Sequence, residues 1–543
     1  MNVTSDPSEP ARRLDKVPSG LGGLDAILRG GFLEGGMTII QGRPGSGKTI
    51  FGNQLCFNHV IAGGRALYVT LLAESHARML LHIGGLSFFR AEVIPDQLSY
   101  VSAFPVLESD GTGGLLTLLR QEMRRRDVTL LVLDGLAAAE QAAGSNMAFK
   151  KFIHELQTLA SVAGCTMFLL AGSGGDRADV APEHTMVDCV IELRSRLHGW
   201  RAQRTLEVLK RRGDGYLRGA HAFRIDDDGI VVFPRFEALL GAPAGGDRGE
   251  RADGPRASTG LAPLDDMLDG GLPRNSSTLL LGPPGSGKTT LGLHFLSPCS
   301  AEEPGLFFGF YETAGVIRAK AEALDLPLAR HFATGAVEML WQPTTEALLD
   351  EACARLLAAV RARTVRRLFL DGIGGLLKLA DDPDRVGYVL TALFNELRGH
   401  RVASVVTKET EDLLGSPWSA PGSGLAGGSV SDIADNILLF QVVRQRSRFW
   451  RTVSTFKARD SRIDDRTRLF EIGRHGLAID PSPDRAEAVL GEAPGDAPGD
   501  ALGDALGKPD GDNGPPAGGA RPEGARPEGA RPGGAQHWRR RGA

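Results

Sequence analysis

The feature that most constrains this 543-residue chain is a phosphate-binding signature written twice. Gly42-Arg43-Pro44-Gly45-Ser46-Gly47-Lys48-Thr49 and Gly282-Pro283-Pro284-Gly285-Ser286-Gly287-Lys288-Thr289 both fit the pattern G-x-x-x-x-G-K-[ST]. Gly42, Gly45, Gly47 and their counterparts Gly282, Gly285 and Gly287 let backbone N–H groups close around a polyphosphate, with Ser46 and Ser286 inside the turn. Lys48 and Lys288 then meet the β- and γ-phosphates, and the hydroxyls of Thr49 and Thr289 meet Mg²⁺. Each signature follows an apolar run and precedes a helical pattern, the context this chemistry needs. ATP and Mg²⁺ are therefore the expected ligands, twice per chain.

The repetition runs well past the loops. Leu28-Arg29-Gly30-Gly31-Phe32 precedes the first and Leu268-Asp269-Gly270-Gly271-Leu272 the second. Lys288 stands 240 positions after Lys48, and Asp371, closing Leu368-Phe369-Leu370-Asp371-Gly372, stands 237 after Asp134, closing Leu131-Val132-Leu133-Asp134-Gly135. Offsets this constant indicate duplication of a whole domain. In the first copy, short apolar runs at 37–41, 66–71, 130–133 and 166–170 alternate with helical patterns at 49–62, 115–125 and 149–163. Such alternation predicts an α/β fold, a mainly parallel buried sheet flanked by helices, with ligands at the carboxyl ends of the strands. Antiparallel strands are expected to follow at 189–194, 204–211 and 222–225, and again at 436–443, 451–456 and 468–471. The expected layout is a first domain at 1–241, a linker at 242–256 rich in Gly, Ala and Pro, a second domain at 257–484, and a tail at 485–543. From about Gly491 that tail is so poor in apolar residues that disorder is expected. Its tip, Trp538-Arg539-Arg540-Arg541, reads as a solvated charged end or as a grip on an acidic partner.

Bulk composition narrows the function. A formal charge of −4 offers no general attraction to nucleic acid or anionic lipid, and no apolar run suits a membrane span or signal peptide. A cytoplasmic protein is expected. Five scattered cysteines, none in a C-x-x-C pair, suggest buried free thiols and neither zinc nor a disulfide framework.

Three further sets of residues carry chemistry. Asp134 and Asp371 close apolar strands where a carboxylate orients hydrated Mg²⁺ across from the loop threonine; a strand-ending Asp is also a common turn former. Glu74 and Glu312 follow the second strand of each copy, where a carboxylate can polarise an attacking water or hydroxyl; Glu before Ser or Thr can equally just begin a helix. Lys210 and Arg212, with Lys457 and Arg459, follow the antiparallel strands, each Lys 22 positions past an aspartate, Asp188 or Asp435. They read as cations reaching a neighbour's γ-phosphate or as ordinary exposed strand charges.

Together these elements resemble the KaiC family of RecA-superfamily ATPases, from Ser19 to about Pro481. The resemblance implies two tandem RecA-like P-loop domains, a homo-hexameric double ring assembled with ATP, hydrolysis at subunit interfaces, and Lys210, Arg212, Lys457 and Arg459 acting in trans. The clock member of that family also phosphorylates an adjacent Ser-Thr pair through its second ring. The matching stretch here is Ser429-Val430-Ser431-Asp432, so Ser431, or the nearby Ser429, is the candidate acceptor, while Asp432 puts a fixed negative charge where the threonine would be. A capping serine is the plain alternative. The paired glutamates of the clock member are reduced to one in each copy. The function expected is an ATPase, with possible serine/threonine autokinase activity, working as a signalling switch with regulatory protein partners. The alternative is a RecA/RadA-like DNA-dependent ATPase using the basic, aromatic stretches 194–204 and 444–451. The acidic balance and the lack of a basic accessory domain argue against nucleic acid.

Overall fold

A computed structural model describes residues 15–72, 76–172, 182–240, 255–410, 433–445, 448–459, 462 and 464–491. The first copy contributes strands β1 (Met37–Gly42), β2 (Ala66–Thr70), β3 (Leu98–Ser102), β4 (Leu130–Asp134), β5 (Thr166–Gly172), β6 (Cys189–His198), β7 (Arg201–Arg211), β8 (Ala220–Asp226) and β9 (Gly229–Phe233). The second contributes β10 (Ser277–Gly282), β11 (Gly305–Gly309), β12 (Val337–Trp341), β13 (Arg367–Asp371), β14 (Ala403–Glu409), β15 (Asn436–Gln445), β16 (Arg448–Ala458), β17 (Arg468–Gly473) and β18 (Gly476–Ile479). The sheet orders are β3-β2-β4-β5-β1-β6-β7-β8-β9 and β12-β11-β13-β14-β10-β15-β16-β17-β18, the same order twice. Pairing is parallel from β3 to β6 and antiparallel from β6 to β9, with the same change in the second sheet. These are two tandem RecA-like α/β domains.

The central strands are near-continuous apolar runs because helices cover both faces. Leu67, Val69, Leu131 and Leu133 point into one layer and Tyr68, Val132 and Phe168 into the other, all out of water. The edge strands β3 and β12 lie outside the expected set. Their sequences, LSYVS and VEMLW, mix polar residues into the run because only part of each is buried. Among the helices, α1 (Lys48–Ile61) follows the first loop and α2 (Phe236–Leu239) ends the first copy. In the second copy, α3 (Lys288–Leu296) follows the loop; α4 (Ala314–Ala323), α5 (Leu349–Arg363) and α6 (Arg385–Gly399) follow. All five cysteines are buried free thiols, and burial pushes Cys165, Cys189 and Cys299 up to about 12. Among the described residues, no helix is long and apolar enough to cross a membrane.

Two features lie at the expected domain edges. The segment assigned to the tail begins with a helix, Asp484–Gly491, because Ala486 is buried and Arg485 lies over the Trp450 ring at 5.8 Å. The remainder, 492–543, lies outside the described residues, as does most of the linker. Helix α2, at the end of the first copy, packs into the second: Phe236 is 2% exposed and sits in the core that includes Leu349, Cys353, Val389 and Phe394. Asp350 of α5 accepts the Phe236 N–H at 2.8 Å and binds Arg385 of α6, which also holds Glu237 of α2 at 2.8 Å. A four-residue helix thus locks the two copies together.

Candidate nucleotide sites

Each loop runs from a central parallel strand, β1 or β10, into the helix that starts at its lysine. Gly47 and Gly287 hold φ of 103° and 101°, a left-handed backbone that places helix N–H groups around the loop. Space excludes larger residues too: a Cβ on Gly42 would lie 2.5 Å from the Leu193 carbonyl oxygen and from Ser46 Oγ. Lys48 Nζ donates to the Gly42 and Arg43 carbonyls at 2.7 and 3.0 Å. Lys288 Nζ repeats the contacts with Gly282 and Pro283 at 2.8 and 2.7 Å. Burial lowers the pKa of both lysines, with the Asp134 charge opposing it at Lys48 and Glu409 and Asp371 opposing it at Lys288. The buried Ser46 hydroxyl has no protein partner, an orphaned polar atom inside a cradle of N–H groups. That arrangement fits a phosphate.

The strand-end aspartates lie beside the loop threonines. Thr49 Oγ1 donates to Asp134 Oδ2 at 3.3 Å, and Thr289 Oγ1 to Asp371 Oδ2 at 3.0 Å. The supports of the two carboxylates differ. In the first domain, the fully buried Tyr68 on β2 donates to Asp134 Oδ2 at 2.8 Å; burial, then the Asp134 charge, drives the phenol far above its ordinary pKa, so it stays a donor. In the second, the matching residue is Phe307, and Thr407 on β14 donates to Asp371 Oδ1 at 2.8 Å while accepting the Gly372 N–H. The first-domain counterpart of Thr407 is Leu170, paired with Asp134 across β4 and β5. Burial raises the Asp371 carboxyl above its ordinary value, although two threonine hydroxyls oppose this. Neither support was visible as a motif, since each comes from a neighbouring strand. Tyr68→Phe is expected to destabilise the first domain by about 1.5–3 kcal/mol, the worth of a hydrogen bond to a charged group. Thermal unfolding checks this, with Thr407→Val expected to act at the second domain alone.

Glu312 lies just before α4 and pairs with Lys320 at 3.1 Å. Its neighbour Tyr311 is covered by Lys378 at 4.9 Å, and the Phe310 carbonyl accepts the Trp341 indole N–H at 3.1 Å. Glu74, Ser429 and Ser431 lie outside the described residues. The remaining candidate cations converge on the turns that begin β6 and β15. Lys210 Nζ donates to the carbonyls of His184 and Val187 at 2.7 Å, and Arg212 donates to Thr185; Lys457 Nζ donates to Ala434 at 2.8 Å. The 22-residue spacing from Asp188 and Asp435 is the closure of a hairpin, with Arg212 and Arg459 N–H groups donating to the aspartate carbonyls. The aspartate side chains in turn accept the N–H of Met37 and Ser277, tying each hairpin to its loop strand.

Two arginines near the loops were missed. Arg204 on β7 donates to the Gly45 carbonyl at 3.0 Å, and Arg451 on β16 donates to that of Gly285 at 3.4 Å. Both belong to the stretches considered for DNA, and both lie instead against a phosphate loop of their own domain. Their signal was available: Arg451 follows Arg204 at the same offset, 247, that separates Lys457 from Lys210.

Fold and loops together define tandem P-loop ATPase domains. A family model for KaiC ATPases matches residues 17–237 and 257–484. The chain belongs to the KaiC ATPase family. It is similar to circadian clock oscillator proteins KaiC from Parathermosynechococcus lividus (24% identical over 91% of this chain and 92% of the relative) and Thermosynechococcus vestitus (26% over 90% and 94%). The match extends to KaiC of a Picosynechococcus strain, at 25% over 90% and 94%. An ATP-binding ATPase is the activity this membership supports, and the DNA-dependent alternative is not favoured.

Proposed function

We propose that the chain is an ATP-driven switch: a homo-hexamer assembled with ATP, hydrolysing it at subunit interfaces, whose second domain transfers phosphate to its own Ser431 or Ser429. The observation that carries the reading is the same lysine, loop, threonine and aspartate constellation built in both domains. Lys48 and Lys288 neutralise phosphate charge; the loop N–H groups orient the polyphosphate. Thr49 with Asp134, and Thr289 with Asp371, fit Mg²⁺. One carboxylate and one hydroxyl would leave the other positions to phosphate and water, as suits that ion. Bound there, Mg²⁺ neutralises charge developing on the β- and γ-oxygens.

Glu74 and Glu312 orient the attacking group and take its proton: from water in hydrolysis, giving ADP and phosphate, or from a serine hydroxyl, giving ADP and phosphoserine. Lys210, Arg212, Lys457 and Arg459, gathered at the hairpin starts, serve the neighbouring subunit's γ-phosphate. The switch is proposed to work in the cytoplasm and to be read by regulatory protein partners.

The test is gel filtration with light scattering, with and without Mg-ATP, followed by phosphosite mass spectrometry on wild type and Glu312→Gln. Expected are a nucleotide-dependent hexamer and phosphate on Ser431 or Ser429 that vanishes in the variant. A chain that stays monomeric at saturating nucleotide overturns the ring; unmodified serines in a turning-over hexamer overturn the kinase.

A further inference from the structure

We infer that Lys320 is a positioning residue of the second nucleotide site, holding Glu312 in an ion pair that slows this domain's turnover. The inference rests on the reading of Glu312 as the group that orients the nucleophile.

The geometry is local and specific. Glu312 immediately precedes Thr313, the residue that starts α4, and Lys320 lies two turns inside that helix. Side chains on a helix lean toward its N-terminus, so a lysine two turns in, about 10 Å along the axis, can direct its long stem back over the first turn. Lys320 Nζ reaches Glu312 Oε1 at 3.1 Å and Oε2 at 3.2 Å, engaging both carboxylate oxygens at once. The segment carrying Glu312 is fixed on its other side by the Trp341 bond to the Phe310 carbonyl and by Tyr311 under Lys378, so the carboxylate is approached by an ammonium group while its backbone is held. The pair lies beside the nucleotide site by strand register: Gly309, three residues before Glu312, is paired with Asp371 across β11 and β13.

A carboxylate with both oxygens on an ammonium group keeps lone pairs to spare, but its direction is set by that partner and two of its roughly four acceptor sites are taken. Turning it onto a water or serine hydroxyl requires loosening the pair. Both side chains are 36% exposed, which makes the pair a partial restraint, worth about two- to fivefold in the population of free carboxylate. The first domain's sequence differs here. Eight positions after Glu74 stands His82, an exposed residue of the helix His76–Ile83. A lysine at this position is thus a feature of the second domain's sequence, the domain proposed to transfer phosphate.

The experiment is a double-mutant cycle in the full chain carrying Lys48→Ala, so that the second site alone turns over. Lys320→Met is expected to raise kcat about two- to fivefold with KM unchanged, and Lys320→Arg to restore the parent rate. Adding Glu312→Gln is expected to abolish the increase. Raising salt should bring the parent toward the Lys320→Met rate, since the pair is open to screening. Equal or lower kcat in Lys320→Met, a raised KM, or an increase that survives in Glu312→Gln each overturns the inference. Full turnover in Glu312→Gln alone overturns instead the role given to Glu312. If circular dichroism shows the Lys48→Ala chain unfolded, or gel filtration shows that it no longer forms the hexamer, the same cycle in the otherwise wild-type chain reads the two- to fivefold increase in the share of turnover that Glu312→Gln removes.

Discussion

Arg385→Ala should lower the thermal midpoint of the chain by about 6–20 °C, the shift expected for a loss of about 3–5 kcal/mol in a domain of this size. The residue sits where the two copies meet. Its guanidinium donates to both oxygens of Glu237, at 3.0 and 2.8 Å, and to Asp350 Oδ2 at 3.0 Å. The Asp350 side chain is only 2% exposed and has one further partner, the N–H of Phe236. Deleting the arginine leaves a buried carboxylate without its counter-ion, which costs more than the pair itself contributes. Replacing the pair together, with Arg385→Met and Asp350→Leu, should recover part of the loss, because the buried Asp350 charge is then gone and Glu237 keeps Arg235 at 2.9 Å, while the Phe236 N–H loses its acceptor. A double variant as unstable as Arg385→Ala would show that packing of α2, and not charge, holds the junction.

The pH dependence follows with a definite sign. Burial alone would raise the Glu237 carboxyl, yet the Arg385 hydrogen bonds and charge hold it below its ordinary value. A carboxylate depressed in the folded state stabilises above its unfolded pKa, and that stability fades as pH falls through the folded one. The wild-type advantage over Arg385→Ala should therefore be full at neutral pH and shrink on acidification below the ordinary glutamate range.

What the sequence disclosed and what it withheld divide along contact distance in the chain. The loops, from Gly42 to Thr49 and from Gly282 to Thr289, are contiguous, and their chemistry depends on residues within one turn of each other. Asp134 and Asp371 were legible because each ends a buried apolar strand, so a charge there stands out. Tyr68 and Thr407 did not stand out: a tyrosine or threonine in a strand is ordinary, and only the pairing of neighbouring strands reveals which of them meets the carboxylate. Arg204 and Arg451 were read as part of basic stretches because charge patterns along a strand do not show which face a residue occupies. Lys210 and Arg212 show the converse. Their spacing from Asp188 suggested function, and it also marks the closure of a β-hairpin, a structural demand that produces the same number in both copies. The junction at Arg385 was invisible for the plainest reason: Glu237, Asp350 and Arg385 are more than 100 and more than 30 positions apart and share no motif.

Nucleotide stoichiometry supplies the second large effect. Wild-type chain should bind two ATP, Lys48→Ala and Lys288→Ala one each, and the double variant none, as equilibrium binding of labelled nucleotide will read. Each lysine is the cation its loop wraps around. Lys288 is 6% exposed and Lys48 half-buried, and in each case the ammonium group is held by two loop carbonyls, so its place is prepared in advance. Removing one preorganised group aimed at developing charge typically lowers turnover at least about 100-fold at its own site. Arginine should not rescue, because its planar fork does not reproduce a point charge seated under the Gly282 and Pro283 carbonyls. The two substitutions should then part company in one readout. If the second domain is the kinase, Lys288→Ala abolishes serine phosphorylation even where the ring persists, while any phosphate lost in Lys48→Ala should track loss of the hexamer. Phosphorylation that survives Lys288→Ala would move the kinase to the first domain, where Tyr68 takes the place of Thr407 in supporting the aspartate.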